Sequence, residues 1–192
     1  MRELEERILK DGKVLPGGVL KVGSFLNHCI GTTLLAHMAD EVAALYKDAG
    51  VTKILTIEAS GIALAAAAGM AMGVPVVFAK KHRTTNVDGG VHTTVVHSFT
   101  HNEDYNVVVA DDCMDESDNV LIIDDFLANG CAVKGLIEII NAAGATLEGV
   151  GIVIEKGFQP GGKELRAKNV NLHSLAIVDS MSDDMLTFRS ED

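Results

Sequence analysis

Short apolar runs alternate along this chain with longer segments whose apolar residues recur every three or four positions. The runs lie at residues 54–57, 74–79, 106–110, 120–123, 146–154, 172–178 and 185–188, and such runs are typical of buried strands. The helical spacing occurs at residues 2–11, 32–49 and 131–143, and an Ala-rich segment follows Gly61. The alternation predicts an α/β fold with a mostly parallel sheet of about five strands and helices on both faces.

Two regions do not fit this alternation. Residues 14–30 contain Pro16 and three glycines among scattered apolar residues, which predicts a loop layer laid over the rest of the domain. Residues 84–101 are rich in Thr, Gly and His, with a β-like run at 93–99. Loops of these kinds often carry function.

Composition narrows the class of protein. A chain of 192 residues with 47% apolar and 22% charged residues is typical of one soluble globular domain. Its net charge of −11 argues against nucleic acid as a partner, because binding would need a basic face. The uncharged segment 59–79 is dominated by Ala and Gly and contains Pro75, so we interpret it as a helix and a strand rather than a membrane span.

Cysteine usage bears on the compartment. Cys29, Cys113 and Cys131 show no CxxC spacing, one must stay unpaired within the chain, and no secretory signal precedes them. This pattern indicates a reducing cytoplasm.

The stretch 120–132, VLIIDDFLANGCA, is the most informative part of the chain. We expect a buried strand ended by Asp124 and Asp125, then a small-residue loop and a helix. The loop (Ala128, Asn129, Gly130, Cys131 and Ala132) suits a phosphate, since its N–H groups and the helix dipole favour an anion. Two carboxylates at one strand end suit ribose hydroxyls and a sugar ring that becomes cationic. The alternative is an ordinary Rossmann-like βα unit in which an acid caps the helix.

Other polar residues follow predicted strands, and parallel strands should bring them to the same edge of the sheet. Ser60 and Gly61 form a second small-residue turn, which suits an anion or a simple helix cap. The cationic run from Lys80 to Arg83 suits pyrophosphate, or it forms a solvated loop. Lys156 follows the strand at 146–154 and is otherwise a surface lysine.

At these residues the chain resembles the type I phosphoribosyltransferases, whose motif is four apolar residues, two acids and a small-residue loop with Gly. Within that family it resembles the bacterial members that use xanthine, through VLKVGSFLNHCI, KILTIEASGIA, GVPVVFAKKH and VGIVIEKGFQP. The resemblance implies transfer of a phosphoribosyl group from phosphoribosyl pyrophosphate (PRPP) to a purine, with Mg²⁺ bound mainly through PRPP and a homodimer as the assembly.

The resemblance also implies roles for individual residues. It places Leu20, Asn27, Lys156 and Phe158 at the purine. For PRPP it implies Ser60, Gly61, Lys81 and Arg83 at the pyrophosphate, the loop 128–132 at the 5′-phosphate, and Asp124 with Asp125 at the ribose. It further implies a single domain over 1–192, with a hood built from residues 14–30 and the C-terminal segment and a mobile loop at about 82–104. Taken alone, Asn27 is more typical of a turn-forming residue.

The choice of base comes partly from chemistry. Lys156 only donates hydrogen bonds, which suits a 6-oxo purine and disfavours adenine. An Asn27 amide could flip to serve xanthine or guanine, so the resemblance selects xanthine over guanine or hypoxanthine. A purine-sensing regulator would need an added DNA-binding domain or a basic face, and the chain has neither. A Rossmann methyltransferase would need a GxG loop after its first strand, and the stretch IEASGIALAAAAG at that place lacks one.

Three further features have alternative interpretations. His82, His92, His97 and His101 lack the spacing of a common metal site, so no protein-held metal is expected. The acidic residues at 111–118 lack the Gly and terminal Glu of a calcium loop and predict a solvated turn. Cys131 is either a reactive thiol at a helix N-terminus or a buried apolar residue.

Overall fold

A computed structural model of the chain describes residues 1–81, 90–98, 103–182 and 185–189. The helices are α1 (Arg2–Asp11), α2 (Thr32–Leu45), α3 (Gly61–Met72), α4 (Cys131–Ala142) and α5 (Pro160–Ala167). The strands are β1 (Lys13–Leu15), β2 (Val19–Lys21), β3 (Lys53–Ile57), β4 (Val76–Ala79), β5 (Val91–Ser98), β6 (Glu103–Ala110), β7 (Asn119–Leu127), β8 (Thr146–Lys156), β9 (Leu172–Ser182) and β10 (Met185–Phe188). A short π-helix (Gly23–Asn27) and a 3-10 helix (Asp111–Cys113) complete the elements of the described residues.

The central sheet has six strands in the order β10-β9-β8-β7-β3-β4. Five of them are parallel, and only β10 runs antiparallel, against β9. The predicted fold class, with a parallel sheet of about five strands, is therefore confirmed. Strands β3 and β7 are neighbours, which brings the segments that follow them to one edge of the sheet.

Two apolar layers cover the two faces of this sheet. On β7, Leu121 and Ile123 face the layer that contains α2 and α3, whereas Val120 and Ile122 face the layer that contains α4. This alternation is the period of two expected when both faces of a strand are buried. The prediction of helices on both faces is confirmed.

The acidic pair does not end its strand, contrary to the sequence prediction. β7 continues through Asp124 and Asp125 to Leu127, and Phe126 and Leu127 still pair with Ile154 and Glu155 of β8. Both carboxylates are consequently buried, with 5% and 8% of their surface exposed. The expectation that the two acids end the strand was therefore wrong.

Residues 14–30 are more regular than the predicted loop layer. β1 and β2 form an antiparallel hairpin around Gly17 and Gly18, which have positive φ angles of 81° and 72°. The π-helix follows, and its Phe25 and Leu26 are buried in the layer that contains α2 and α3. In α1, Leu4 and Ile8 are buried, whereas Leu9 is 61% exposed.

β5 and β6 form a second hairpin, which lies outside the central sheet and packs against α4. A Cβ atom added at Gly135 would lie 2.5 Å from Val96 Cγ2, so the missing side chain is what lets β5 approach the helix this closely. The Thr94 hydroxyl donates to the Glu138 carboxylate, and a bridge between Lys80 and Val108 joins β6 to the end of β4. These contacts fix the described part of the hairpin to the domain.

Other segments correct the sequence analysis in detail. The segment 59–79 forms α3 and β4, and no helix among the described residues is long and apolar enough to cross a membrane. The predicted solvated acidic turn contains a buried residue, Asp118, which accepts a hydrogen bond of 2.6 Å from Lys53. Helix α5 was not predicted.

Candidate active site

The acidic pair lies near the centre of the sheet, on β7. The backbone N–H of Asp125 donates a hydrogen bond of 2.9 Å to Asp124 Oδ1. Burial raises the pKa of the Asp124 carboxyl well above its usual range, and the charge of Asp125 adds to this effect. That hydrogen bond and the charge of Lys81 act in the opposite direction. Ionising both carboxylates is therefore electrostatically unfavourable. A bound ligand with several hydroxyl groups or a positive charge would stabilise the ionised pair.

Loop 128–132 follows β7 and leads into α4. Gly130 adopts a left-handed conformation with φ 79° and precedes the first residue of α4, Cys131. The N-cap residue of this helix, Gly130, has no side chain to cap it, so the N–H groups of the first turn suit an anion. The predicted combination of loop and helix is confirmed.

The turn after β3 lies beside the acidic pair. A Cβ atom added at Gly61 would collide with Thr56 Oγ1 and lie 3.1 Å from Asp124 Oδ1, so only glycine fits between the two strands. Ser60 precedes α3 but makes no side-chain capping hydrogen bond, which removes the helix-cap alternative for it. The peptide bond between Glu58 and Ala59 is cis. The turn after β3 therefore lies against Asp124, and loop 128–132 follows the end of the strand that carries Asp124.

Part of the predicted cationic run is described. The Glu58 carboxylate accepts a hydrogen bond of 2.6 Å from the backbone N–H of Lys81, which ties the end of β4 to the turn after β3. The Lys81 ammonium lies 5.4 Å from the centre of the Tyr105 ring. Arg83 and His82 lie outside the described residues, as do His101 and the first part of the predicted mobile loop.

The hood residues meet the sheet close to the acidic pair. The Asn27 side-chain amide lies 3.4 Å from Asp125 Oδ2, and Leu20 and Asn27 line one cavity of about 290 Å³. Asn27, one of the two base-contacting residues predicted in the hood, therefore lies beside the predicted ribose-contacting acids.

Lys156 ends β8 and contacts the tip of the first hairpin. Its ammonium donates a hydrogen bond of 2.9 Å to the carbonyl of Gly18 and lies 5.8 Å from the centre of the Phe126 ring. Burial lowers the pKa of Lys156. Phe158 is 44% exposed, and a Cβ atom at Gly18 would lie 4.0 Å from its ring. Lys156 and Phe158 thus share one rim with the hairpin.

Two contacts that the sequence analysis missed support this end of the sheet. Arg166 of α5 forms two hydrogen bonds of 2.7 Å with the buried Glu155 carboxylate, which also accepts one from Ser174. Burial raises the pKa of Glu155, but the hydrogen bonds from Arg166 and Ser174 outweigh it and the net shift is downward. The start of α5 also holds loop 128–132, since the N–H of Gly161 donates 3.0 Å to the carbonyl of Ala128. Pro160 was the available sequence signal for the start of α5.

A cavity of about 180 Å³ connects loop 128–132 with the second hairpin. Its walls include His97, Tyr105, Phe126 and Cys131. Cys131 is half-buried, so its burial decides neither for a reactive thiol nor for a buried apolar residue. Cys29 and Cys113 are exposed. His97 pairs with Asp104 at 2.7 Å.

Metal-ligating side chains do not cluster within the described ranges. No group of three or more His, Cys, Asp or Glu residues there is arranged to hold an ion.

Solved structures with a similar fold are phosphoribosyltransferases. The adenine phosphoribosyltransferase of Giardia lamblia, in complex with 9-deazaadenine, aligns with a TM-score of 0.75 at 23% identity, over 91% of this chain and 96% of that one. The adenine phosphoribosyltransferase of Rhodothermus marinus also aligns with a TM-score of 0.75, at 20% identity over 93% and 100% of the two chains. At this level of identity the similarity establishes the fold.

Sequence relatives are considerably closer, although no family model matches the chain. The chain is 51% identical to the xanthine phosphoribosyltransferase of Lachnoclostridium phytofermentans over 100% of both sequences. It is 52% identical to that of Bifidobacterium adolescentis over 99% of this chain and 100% of the relative, and 49% identical to that of Limosilactobacillus fermentum over 98% and 97%. With half of its residues identical over its whole length, the chain belongs to the xanthine phosphoribosyltransferase family.

Proposed function

We propose that the protein transfers the 5-phosphoribosyl group of PRPP to xanthine, which yields xanthosine 5′-monophosphate and pyrophosphate in purine salvage. A purine nitrogen attacks C1 of the ribose, and the C1–O bond to pyrophosphate breaks with its electron pair leaving on pyrophosphate. The proton of the attacking N–H group passes to solvent. The relatives named above carry this activity in their names.

One observation on the geometry of the site supports the proposal most directly. Asp124 and Asp125 lie on β7 between two small-residue turns, the one after β3 and the loop that opens α4. A ligand with a sugar between two phosphate groups matches that arrangement, because anions suit both turns and hydroxyl groups suit the acids.

Each part of PRPP then has its own contacts. Asp124 and Asp125 accept hydrogen bonds from the ribose hydroxyls and stabilise positive charge on the ring in the transition state. Loop 128–132 holds the 5′-phosphate through backbone N–H groups. Ser60, Gly61, Lys81 and Arg83 hold the pyrophosphate, and the bond from Lys81 N–H to Glu58 supports this assignment by fixing Lys81 beside the turn.

The purine occupies the space between the hood and the end of β8. Lys156 donates to the 6-oxo group, Phe158 stacks against the ring, and Leu20 and Asn27 close the other side. The half-buried position of Lys156 and its contact with Gly18 support this role, since the hood then encloses the base. Residues 14–30 and the C-terminal segment form the hood. The described residues 91–98 and 103–104, which were predicted to belong to a mobile loop, lie in the hairpin of β5 and β6.

The donor set fits magnesium held mainly by the substrate. Within the described residues the two aspartates are too few to make a protein cage, and Mg²⁺ typically combines one or two carboxylates with substrate phosphates. When bound, Mg²⁺ neutralises the charge of the pyrophosphate leaving group.

The protein acts as a cytoplasmic homodimer in this proposal. Three free cysteines are compatible with a reducing compartment. Light scattering on the purified protein measures the mass of the assembly. A monomeric mass would contradict the proposed dimer but would not bear on the proposed reaction.

The test is an assay of pyrophosphate release. The protein is incubated with PRPP, Mg²⁺ and one base at a time: xanthine, guanine, hypoxanthine or adenine. We expect the highest kcat/KM with xanthine and the lowest with adenine, because Lys156 cannot accept a hydrogen bond from the 6-amino group. A preference for guanine or hypoxanthine would support the proposed reaction but contradict xanthine as the substrate. If none of the bases leads to pyrophosphate release, the proposed reaction is wrong.

Binding provides a second readout that is independent of the base. PRPP with Mg²⁺ should raise the melting temperature, since a ligand at one hundred times its Kd stabilises the native state by about 2.7 kcal/mol. A flat response at saturating PRPP would argue for another substrate.

A further inference from the structure

The 5′-phosphate loop faces a second wall that neither the sequence motif nor the proposed roles account for. The cavity of about 180 Å³ at this loop is bounded by residues 126–133 on one side and by Val96, His97 and Tyr105 of the second hairpin on the other. The hairpin residues therefore lie where a ligand in the loop would meet them.

The position of this wall is fixed by packing. Val96 and Tyr105 are paired across β5 and β6, so their side chains share one face of the hairpin. That face is held on α4 by the close contact of Val96 with Gly135 and by the bond from Thr94 to Glu138. Tyr105 is consequently directed at the N-terminal end of α4, where the loop lies.

The Tyr105 hydroxyl is an available donor. Its ring is half-buried against the apolar layer of α4, yet the hydroxyl makes no hydrogen bond to the other residues that the structure describes. Burial raises the pKa of Tyr105, and the charges of Asp124 and Cys131 raise it further. The phenol therefore stays protonated at neutral pH and lies close to both the acidic pair and the loop.

A hydrogen-bond donor from outside loop 128–132 would strengthen the binding of a phosphate in that loop. The side chain at the first position of α4 is the thiol of Cys131, a weak hydrogen-bond donor. A neutral hydroxyl adds a strong donor for a phosphate without placing another charge next to the aspartates.

We infer that Tyr105 is a binding residue for the 5′-phosphate of PRPP, donating its hydroxyl hydrogen across the cavity to the phosphate held by loop 128–132. The inference rests on the proposed function and adds a residue from the second hairpin to the phosphate site. The competing role for Tyr105 is support of Lys81, whose ammonium lies over its ring.

The two roles predict different results for Tyr105→Phe: loss of a phosphate donor weakens the binding of ribose 5-phosphate, whereas support of Lys81 by the ring, which phenylalanine keeps, changes neither affinity. Calorimetry measures the affinity for ribose 5-phosphate, which carries the 5′-phosphate alone, and for pyrophosphate with Mg²⁺. In Tyr105→Phe, which keeps the ring and its packing, we expect ribose 5-phosphate to bind about tenfold more weakly or worse, the usual effect of losing a hydrogen bond to a charged group. Pyrophosphate affinity should change by less than about twofold.

Tyr46→Phe is the matched control. It also loses one hydroxyl, which bonds to the Val150 carbonyl at 2.7 Å far from the loop, and should leave both affinities unchanged. Circular dichroism and melting temperature check that both variants fold.

Three results would overturn the role of Tyr105: unchanged affinity for ribose 5-phosphate in Tyr105→Phe, an equal loss for pyrophosphate, or the same loss in Tyr46→Phe. If the wild-type protein binds neither ribose 5-phosphate nor PRPP, both the proposed function and the role of Tyr105 are wrong. If it binds both and Tyr105→Phe binds them equally well, the role of Tyr105 alone is wrong.

Discussion

The side-chain amide of Asn27 donates a hydrogen bond of 3.4 Å to the Asp125 carboxylate, across 98 positions of sequence. Asn27 ends the π-helix of the hood, and Asp125 lies on the central strand β7. Because of this contact, the proposed base and ribose subsites share a boundary. The contact also fixes one N–H of the amide, which leaves the other N–H and the carbonyl oxygen for a ligand.

Replacing either acid tests the central assignment. Asp124→Asn and Asp125→Asn should each lower kcat at least tenfold, about 1.4 kcal/mol, because they remove negative charge where the ribose becomes cationic. Initial rates with xanthine, PRPP and Mg²⁺ measure the effect. Asp112→Asn changes an exposed acid and should not alter the rate. Wild-type rates in both variants of the pair would reject the assignment.

The same substitution at Asp124 should have the opposite effect on stability. The folded state holds the pKa of Asp124 above its ordinary value of 3.8, so the native protein binds a proton more tightly than the unfolded chain does. The free energy of unfolding therefore decreases as pH rises from the unfolded pKa toward the folded pKa, and this loss persists at higher pH. Asp124→Asn removes the titrating group and hence the loss.

We expect the melting temperature of Asp124→Asn to exceed that of the wild type at neutral pH, and the difference to shrink as pH falls toward the ordinary aspartate value. Melting curves from about pH 3 to pH 8 measure it. A variant that is less stable than the wild type across this range would show that the carboxylate is better satisfied than its burial indicates.

The central strand β7 shows which features of the fold can be predicted from the sequence and which cannot. The run from Val120 to Ile123 identified β7 because β-branched apolar residues on consecutive positions fit a strand buried on both faces. Two aspartates looked like the end of the strand, since burying carboxylates is costly. The ladder to β8 nevertheless continues through Phe126 and Leu127, and these two apolar residues after the acids were the signal that the strand went on.

Other differences have equally local causes. In the first hairpin, the pair Gly17 and Gly18 between apolar residues was a turn signal, but strands of three residues leave almost no periodicity to detect. In α5, Gly161 and Gly162 lower helix propensity. The role of Glu155 as a buried anchor depends on Arg166 and Ser174, which only the folded chain brings together.

Lys156 should discriminate between the two substrates. Lys156→Met keeps most of the aliphatic stem and removes the ammonium group, so we expect a higher KM for xanthine with a much smaller change in the affinity for PRPP. Steady-state kinetics with each substrate varied in turn separates the two. Lys168→Met, at an exposed position directly after α5, is the control. Equal losses for xanthine and PRPP would place Lys156 away from the base.

The last prediction concerns the thiol in the phosphate loop. Cys131 opens α4 and lines the cavity with Tyr105, so a phosphate bound there should block access to its sulfur. We expect brief alkylation to label Cys131 in the ligand-free protein, and PRPP with Mg²⁺ to slow that labelling. Mass spectrometry of the three cysteine-containing peptides gives each rate.

Cys29 and Cys113 serve as internal controls, because both are exposed and neither lines this cavity. We expect Cys131 to react faster than either, despite its lower exposure, because a helix N-terminus activates a thiol. For Cys113 the expectation has a second basis, since burial and the hydrogen bond to Asp112 raise the pKa of its thiol. Protection of all three cysteines together would indicate a global effect of ligand on the protein, and an unprotected Cys131 would mean that the phosphate does not occupy this loop.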